Sequence, residues 1–571
     1  MLSRVKEVVQ KVGKKVQNFQ TDDKLSASTK ELIKKRSFLK EKCNRSALDN
    51  IELAQLNKLA RRQIRNDVME YDHKKAKSII EANRSTKKVR KALSTGTHML
   101  PKIMTKEGKL TFDREEIIKA ATEFYSGLYT ESVVASEYEA QRSKICNLEE
   151  VSQFLVREVE NALTKVKIGK MGGPDDIEND VLKMFAEILA PPLSKIFNLI
   201  LETGVTPKQW HESKIILLFK KGDKSDINNY RPISLSSNVC KIFMKILKER
   251  FYNTLDEQQP VEQAGFRKSY STMDHIHTIN QILEKSKEYN MEISLLFIDF
   301  SKAFDSVSHE SVWNSLTLQG VPLKILDILH NLYVQSVAYV KLDKKGDCFQ
   351  IKKGVKQGDP LSPNIFNCVL EQVFRKIDWE GKGLKVNGRW LNQLRFADDI
   401  ILIGKNIMEL SLMVNELNQE CKKVGLSMNV SKTKLMSRQN TAVEIWVDDL
   451  KIERVEEYKY LGQIMSFDNK IKKELDVRIT NSWRAFWAHK TILKGRKSLQ
   501  TKLHILESCI FPILSYGAQT WALTKGQTAR LQKVQYAMLR SILGIKLEDK
   551  VSNQKIQAIT NTKNLGYIIK K

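Results

Sequence analysis

The chain has 571 residues, of which 42% are hydrophobic and 28% are charged, the composition of an ordinary soluble protein. No apolar run reaches the roughly 18 residues of a membrane span, and the N-terminus lacks the apolar core and cleavage site of a secretory signal. We therefore expect a soluble, intracellular protein with several subdomains and no membrane partner. The formal net charge of +28 favours a polyanionic partner instead.

Positive charge is concentrated at the two ends of the chain. Residues 1–100 contain 25 Lys and Arg against 11 Asp and Glu, and residues 470–571 contain 20 against 5. The segment between these ends is close to neutral. Because each neutralised phosphate releases counterions and adds affinity, two basic ends predict contact with nucleic acid. Lysine-rich helix faces also occur simply because they are well solvated, and this alternative stays open.

The first third of the chain is predicted to be helical. Residues 1 to about 95 are polar and contain no proline, which is typical of an arm or linker. Apolar residues recur at helical spacing in Glu115–Tyr129 and Val151–Val166. A glycine-rich turn at Gly169–Asp176 then precedes a predicted helix pair that is broken at Pro191-Pro192. This turn lacks the spacing of a nucleotide-binding P-loop.

The middle of the chain alternates strands with amphipathic helices. Ser213–Phe219 and Ile293–Phe300 are predicted strands, and "LRFADDIILIG" is predicted to form two strands around its aspartates. The pattern predicts an α/β protein whose small antiparallel sheet is covered by helices on one face. After Lys470 the pattern is almost wholly helical.

Adjacent acids in an apolar run need a physical reason, because neighbouring carboxylates repel and lose hydration when buried. A hairpin turn would expose Asp398 and Asp399 together at a sheet edge, and a third acid, Asp299, ends a separate buried strand. Three acids at strand ends are what two-metal phosphoryl transfer requires, with Mg²⁺ as the expected ion. An ordinary hairpin turn or helix cap is the alternative explanation for the Asp-Asp pair.

Six ordered motifs resemble the successive blocks of the reverse transcriptase of LINE-type (non-LTR) retrotransposons, over about residues 168–462. The motifs are "KKGDKSDINNYRPISLSS", "EQAGFRKSYSTMDHI", "LLFIDFSKAFDSVSH", "GVKQGDPLSPNIFNCVLEQVF", "LRFADDIILIG" and "GLSMNVSKTKLM". The resemblance implies a right-hand polymerase that copies RNA into DNA. Its predicted regions are a basic helical arm at 1–150, fingers at 151–290, a palm at 291–465 and a thumb-like region at 466–571, with the reverse transcriptase domain at about 200–465.

The resemblance also implies roles for individual residues. The metal-binding triad falls on Asp299, Asp398 and Asp399, with two Mg²⁺ ions as cofactors and Mn²⁺ as an alternative. Lys432 falls on the position of a proton donor to pyrophosphate, with Lys434 nearby as a competitor. The nucleotide-binding positions, which hold the triphosphate, the sugar and the base pair, fall on Lys220, Arg231, Phe304, Gln357 and Gly358.

Three further expectations concern turns in these motifs. Asp176 stands where relatives usually have glycine, so it is predicted to adopt the turn conformation itself, which Asp tolerates better than most residues. Turn chemistry, rather than metal binding, explains Asp359. Ser362 is predicted to cap the helix that begins before Pro363.

The implied partners are an RNA template, a DNA primer or target, and deoxynucleoside triphosphates. No N-terminal endonuclease of the apurinic type is recognised, so the sequence resembles the polymerase portion of a longer element protein or a truncated copy. The expected location is nuclear and cytoplasmic, as a ribonucleoprotein. A catalytically inactive RNA-binding fragment is the main alternative, an intron maturase and telomerase are weaker ones, and the oligomeric state stays open.

Overall fold

The computed structural model describes residues 25–41, 46–81, 100–105, 108–130, 151–439, 442–468 and 470–570. The chain divides into two compact units. The described residues of the first unit lie in Met99–Lys470, and the second unit consists of Lys11–His98 and Ile471–Lys571. Among the described residues, no helix combines the length and apolar content that crossing a membrane requires.

The first unit combines helices with several small sheets. Its strands are β1 (Ile103–Met104), β2 (Leu110–Thr111), β3 (Glu212–Phe219), β4 (Tyr230–Leu235), β5 (Ser294–Ile298), β6 (Val337–Lys341), β7 (Lys345–Gln350), β8 (Leu384–Val386), β9 (Arg389–Leu391), β10 (Gln393–Phe396), β11 (Asp399–Gly404), β12 (Lys434–Ser437), β13 (Trp446–Val447), β14 (Leu450–Lys451), β15 (Glu453–Arg454), β16 (Glu457–Tyr460) and β17 (Gln463–Ser466). Its helices are Arg114–Tyr129, Val156–Thr164, Asn179–Met184, Ala186–Thr203, Asn238–Glu257, Thr272–Glu288, Ala303–Ser306, His309–Leu318, Leu323–Val334, Ser362–Arg375 and Ile407–Lys423.

The central sheet has five strands in the order β10-β11-β5-β12-β15. All pairs are antiparallel except β12 with β15. Every residue of β5 is buried, so both faces of the sheet need cover. Leu296 and Ile298 pack into the largest core of the unit, whereas Leu295 and Phe297 pack on the opposite face with side chains of the helix Thr272–Glu288. The expectation of helices on one face only was therefore wrong.

A second sheet has the order β4-β3-β6-β7, with β3 and β6 parallel. The helix Arg114–Tyr129 packs against it, and its Ile117, Tyr125 and Tyr129 share a core with Ile215 and Leu217 of β3. Asp113 caps this helix, because its side chain accepts hydrogen bonds from the backbone N–H groups of the first turn.

Two local predictions need correction and one holds. The helix Ala186–Thr203 continues through Pro191 and Pro192, and the break lies before it, at Phe185. Its long apolar face packs into the main core and offsets the two hydrogen bonds that the proline nitrogens cannot donate. Ser362 is the first residue of its helix, and Leu361 is the N-cap. Asp176 has the predicted left-handed conformation, with φ +55°.

The second unit is helical where the structure describes it, as predicted for residues beyond Lys470. Its core gathers apolar side chains from the C-terminal helices, among them Phe486, Leu514 and Leu539. The helices are Ala27–Glu41, Ala47–Glu81, Lys470–Ala488, Lys490–Leu493, Leu499–Ile505, Phe511–Leu514, Lys525–Leu543, Asn553–Thr560 and Leu565–Lys570.

Candidate active site

The β10–β11 hairpin carries the adjacent acids. Phe396 pairs with Asp399, so Ala397 and Asp398 form a two-residue turn. Ala397 has φ +56°, the left-handed conformation that tight hairpin turns require. Asp398 is half-buried and Asp399 is exposed. The hairpin therefore presents both carboxylates at one edge of the central sheet, as the sequence predicted.

Asp299 reaches the same edge from the neighbouring strand. The register pairs Ile400 of β11 with Ile298 of β5, so the next positions of these antiparallel strands, Asp399 and Asp299, lie side by side. The Asp299 carbonyl accepts a hydrogen bond of 2.7 Å from the Asn429 N–H, which fixes the backbone beyond the strand end. The structure thus brings together three acids that are far apart in sequence.

Asp299 affects the protonation of the other two acids. Burial raises the pKa of Asp398, and the negative charge of Asp299 adds to this rise. Loss of hydration beside the surrounding protein, followed by the charges of Asp398 and Asp299, raises the pKa of Asp399 to about 6, although part of this residue is accessible to solvent. Lys220 and Arg231 act in the opposite direction on both groups. The acids and these two cations therefore share one electrostatic environment.

The donor chemistry at this edge suits a hard divalent cation. Asp299, Asp398 and Asp399 offer carboxylate oxygens, the ligands that Mg²⁺ prefers, and their mutual repulsion is what such an ion relieves. Within the described ranges, no three His, Cys, Asp or Glu side chains converge closely enough to form a ready-made metal site. The residues present fit the ion in chemical type, and holding it requires the carboxylates to converge further.

Lys432 lies against the first acid. Its Nζ is 3.3 Å from Asp299 Oδ2, and the lysine side chain is otherwise largely exposed. Lys434, the competing lysine, points elsewhere, since its Nζ is 2.6 Å from Glu453 Oε2. The geometry therefore separates two lysines that the sequence left close together.

Lys220 and Arg231 lie on the second sheet, facing the acids. Lys220 directly follows β3, and Arg231 lies in β4, where it pairs with Leu218. Burial lowers the pKa of Lys220, and the positive charges of Arg231 and Lys432 lower it further. Three cations are thus close enough to influence one another beside the acidic edge, an arrangement suited to a polyphosphate.

Phe304 lies on the short helix Ala303–Ser306 that follows Asp299. Its ring is stacked on Phe366 with a centroid distance of 4.7 Å and an interplanar angle of 12°. Phe266 contacts it edge to face at 6.1 Å. The ring is half-buried, so it presents a rigid, partly accessible apolar surface close to the acids.

Gln357 and Gly358 lie against β4. The Gln357 carbonyl accepts a hydrogen bond of 3.0 Å from the Ser234 N–H. Gly358 has φ +109°, and a Cβ there would lie 3.0 Å from the Ser234 carbonyl oxygen, so both conformation and space favour glycine. Asp359 is buried, and its carboxylate accepts a hydrogen bond of 2.9 Å from the Leu361 N–H, in agreement with a turn role.

Gln263 supports the acidic hairpin, a role the sequence did not reveal. Its fully buried side chain accepts hydrogen bonds from the N–H groups of Ala397, at 3.1 Å, and Gly265, at 2.8 Å. Gly265 lies so close to the hairpin that a Cβ would be 2.8 Å from the Phe396 carbonyl carbon. The motif "EQAGFRK" was the available signal for this role, but the hairpin that Gln263 contacts lies more than a hundred residues away in sequence.

A buried ion pair ties the same hairpin to the helix Ser362–Arg375. Arg395 of β10 lies 2.9 Å from the Glu371 carboxylate, and both side chains are almost inaccessible to solvent. The Arg395 guanidinium also lies 4.3 Å from the centre of the Phe374 ring. A charged residue within the apolar "LRFA" was the signal for this anchor on the helix Ser362–Arg375.

Comparison with known proteins identifies a family for the middle of the chain. Residues 219–465 match the family described as "Reverse transcriptase (RNA-dependent DNA polymerase)". The matched segment contains the three acids together with Lys220, Arg231, Phe304 and Lys432. The match identifies residues 219–465 as a reverse transcriptase domain.

Similar proteins come from retrotransposable elements. The chain is 28% identical over 312 residues to the Pol polyprotein of the type-2 retrotransposable element R2DM of Drosophila melanogaster, covering 52% of this chain and 29% of the relative. It is 25% identical over 422 residues to the RNA-directed DNA polymerase from the mobile element jockey of the same organism, covering 69% of this chain and 44% of the relative. Both relatives are named as proteins of mobile elements, and the chain spans less than half of their length.

Solved structures also resemble the chain. The structure of apo telomerase from Candida tropicalis is 16% identical, with a TM-score of 0.36, covering 67% of this chain and 73% of that one. The family match confirms the predicted resemblance to reverse transcriptases, and the mixture of helices and sheets confirms the α/β class. The division into arm, fingers, palm and thumb stays a prediction, as do the roles of the individual site residues.

Proposed function

We propose that this chain is an RNA-directed DNA polymerase of a non-LTR retrotransposon, which extends a DNA primer on an RNA template using deoxynucleoside triphosphates. The observation that carries the proposal is the meeting of Asp299, Asp398 and Asp399 at one sheet edge, opposite the cations Lys220 and Arg231. Acids beside cations at an open edge suit nucleotidyl transfer, in which charge on a transferred phosphoryl group must be stabilised.

The proposed cofactors are two Mg²⁺ ions, or Mn²⁺, held by the three acids. When bound, such ions activate the attacking hydroxyl and neutralise charge on the departing pyrophosphate. The chain itself positions the three acids. The sheet register holds Asp299 beside Asp399, and the hydrogen bonds that the Gln263 side chain accepts from Ala397 and Gly265 fix the turn that carries Asp398.

The cationic residues are proposed to bind and protonate the phosphates. Arg231 can grip phosphate oxygens with two N–H groups, and Lys220 adds a point charge beside it. Lys432, already next to Asp299, is proposed to give a proton to the departing pyrophosphate. The shared environment of these groups supports their assignment to a single ligand.

The remaining site residues are proposed to read the nucleotide. Phe304 presents a rigid ring that leaves no room for a ribose 2′-hydroxyl, and its stacking on Phe366 keeps the ring in place. The turn at Gln357 and Gly358 is proposed to hold the base pair, since glycine permits close approach of a backbone. The charge of the chain supports a nucleic-acid partner, and location in the nucleus and cytoplasm as a ribonucleoprotein is proposed with it.

Primer extension by an Asp398→Asn variant tests the proposal. With an RNA template, a DNA primer and Mg²⁺, the extension rate should fall by at least about a thousandfold, because a metal-ligating charge is worth several kcal/mol in the transition state. RNA binding, measured by filter retention, should persist. Asp378→Asn is the matched control, since Asp378 is an exposed acid outside the six motifs and should leave extension unchanged.

Two results would count against the proposal. Unchanged extension by Asp398→Asn would remove the metal assignment. No extension by the unaltered chain, together with RNA binding that is insensitive to Mg²⁺ and to Asp398→Asn, would support the inactive RNA-binding fragment instead.

A further inference from the structure

A buried hydrogen bond links the helix Arg114–Tyr129 to the turn that carries Phe304. The Tyr129 hydroxyl donates to the Asp305 carboxylate at 2.7 Å, and both side chains are almost completely buried. Asp305 directly follows Phe304 in the chain. The motif comparison assigned no role to either member of this pair.

Tyr129 belongs to a frame of three hydrogen bonds, which join Tyr129 to Asp305, Lys352 to Tyr129 and Val355 to Phe304. The Tyr129 carbonyl accepts a hydrogen bond from the Lys352 N–H at 3.0 Å, and the next residues of that segment return to the turn. There the Val355 N–H donates to the Phe304 carbonyl at 2.7 Å. The peptide of Phe304 and Asp305 is therefore held through the Phe304 carbonyl on one side and the Asp305 carboxylate on the other.

The neighbouring cation is engaged elsewhere. Lys302 lies three residues before Asp305, but its Nζ lies 4.2 Å from the Phe124 ring centre and 3.3 Å from Asn228 Oδ1. In the part of the chain that the structure describes, the hydrogen bond to the Asp305 carboxylate comes from Tyr129. A buried carboxylate costs more than an apolar side chain of similar size, so its value lies in fixing one geometry.

We propose that Tyr129 is a positioning residue for sugar selection, which holds Asp305 and thereby fixes the plane of the Phe304 ring. This rests on the proposed role of Phe304. The ring is constrained by Phe366 on one face and by the Phe266 edge, and its backbone is constrained by the frame. Release of Asp305 lets the peptide rotate, and a tilted ring then makes room for a 2′-hydroxyl.

The test compares single-nucleotide incorporation of deoxyribonucleotides and ribonucleotides by the full chain on an RNA template. Tyr129→Phe should lower the ratio of the two kcat/KM values by about fivefold or more, since one hydrogen bond to a charged group is lost. Tyr125→Phe is the matched control on the same helix. Its hydroxyl is also buried but bonds no group within the described residues, so the ratio should not change.

Two variants of Asp305 separate positioning from folding. Asp305→Asn keeps an oxygen that accepts from Tyr129, so selectivity should stay within about twofold of the unaltered chain. Asp305→Ala removes the acceptor and should reproduce the Tyr129→Phe change, which gives an independent reading if Tyr129→Phe folds poorly. Thermal unfolding of each variant checks that it is folded.

Phe304→Ala makes failure of the inference distinguishable from failure of the proposed function. If Phe304→Ala admits ribonucleotides while Tyr129→Phe and Asp305→Ala select sugars as the unaltered chain does, the inference is wrong and the role of Phe304 stands. If Phe304→Ala leaves selection unchanged, the proposed role of Phe304 fails and the inference fails with it. Equal losses of activity towards both sugars in Tyr129→Phe and Asp305→Ala would also overturn the inference, because they indicate a structural role alone.

Discussion

Replacing Asp305 by Asn should stabilise the chain at neutral pH. Burial raises the pKa of Asp305 from 3.8 to about 6, and the Tyr129 hydrogen bond and the nearby Lys302 offset this only in part. Between pH 4 and pH 6 the folded chain therefore holds a proton on Asp305 that the unfolded chain has already released. Because the folded state binds more protons between these two values, the free energy of unfolding falls as pH rises through this window.

The magnitude follows from the shift. At about 1.36 kcal/mol per pKa unit, a rise from 3.8 to about 6 corresponds to about 3 kcal/mol lost between pH 4 and pH 6. Asn is neutral throughout and avoids this cost, and the pKa shift already includes the effect of the Tyr129 hydrogen bond. We therefore expect Asp305→Asn to gain about 3 kcal/mol above pH 6 and to lose this advantage near pH 4.

Urea unfolding followed by tryptophan fluorescence, at intervals from pH 4 to pH 7.5, measures this difference. Asp113→Asn offers a control of opposite sign, because backbone hydrogen bonds from Glu116 and Glu115 lower the pKa of that exposed cap. The Asp113 carboxylate stabilises the folded chain at neutral pH, and this stabilisation weakens on acidification. A difference between Asp305→Asn and the unaltered chain that is constant with pH, or that grows towards pH 4, would refute the reasoning.

Two further predictions concern the support of the acidic hairpin. Gly265→Ala should reduce primer extension at least about tenfold, because a Cβ would overlap the Ala397 backbone nitrogen, whereas Gly127→Ala, with open space around its Cβ, should extend primers normally. Glu371→Gln should lower the free energy of unfolding by about 3 to 5 kcal/mol, since the Arg395 guanidinium stays buried without its carboxylate. Normal extension by Gly265→Ala, or a urea midpoint unchanged by Glu371→Gln, would contradict these accounts.

The central hairpin was predictable because its signal is local. Apolar stretches on both sides of Asp398 and Asp399 predict strands, and a two-residue turn then has only one place to lie. Asp299 was a candidate for a similar reason, since it ends a separate buried strand. The left-handed conformation of Asp176 and the position of Phe304 came from motif resemblance, which carries information that spacing lacks.

What escaped prediction depends on contacts between distant segments. Gln263 bonds the backbone at Ala397, 134 residues away, and nothing in its own neighbourhood indicates this. The break near Pro191 was misplaced because the core that stabilises the helix through its prolines is tertiary. Lys432 and Lys434 were indistinguishable in sequence, and the strand that begins at Lys434 separates them.

Strand β4 sets the spacing between two of the proposed nucleotide contacts. It carries Arg231, the proposed triphosphate ligand, and three residues later Ser234, which holds the backbone of the proposed base-pair turn through Gln357. Three residues of extended strand span about 10 Å, and the strand cannot stretch. The distance between Arg231 and the turn at Gln357 is therefore set by one covalent segment. Insertion of a single residue between Arg231 and Ser234 would change this distance, and the effect would be the same for all four nucleotides.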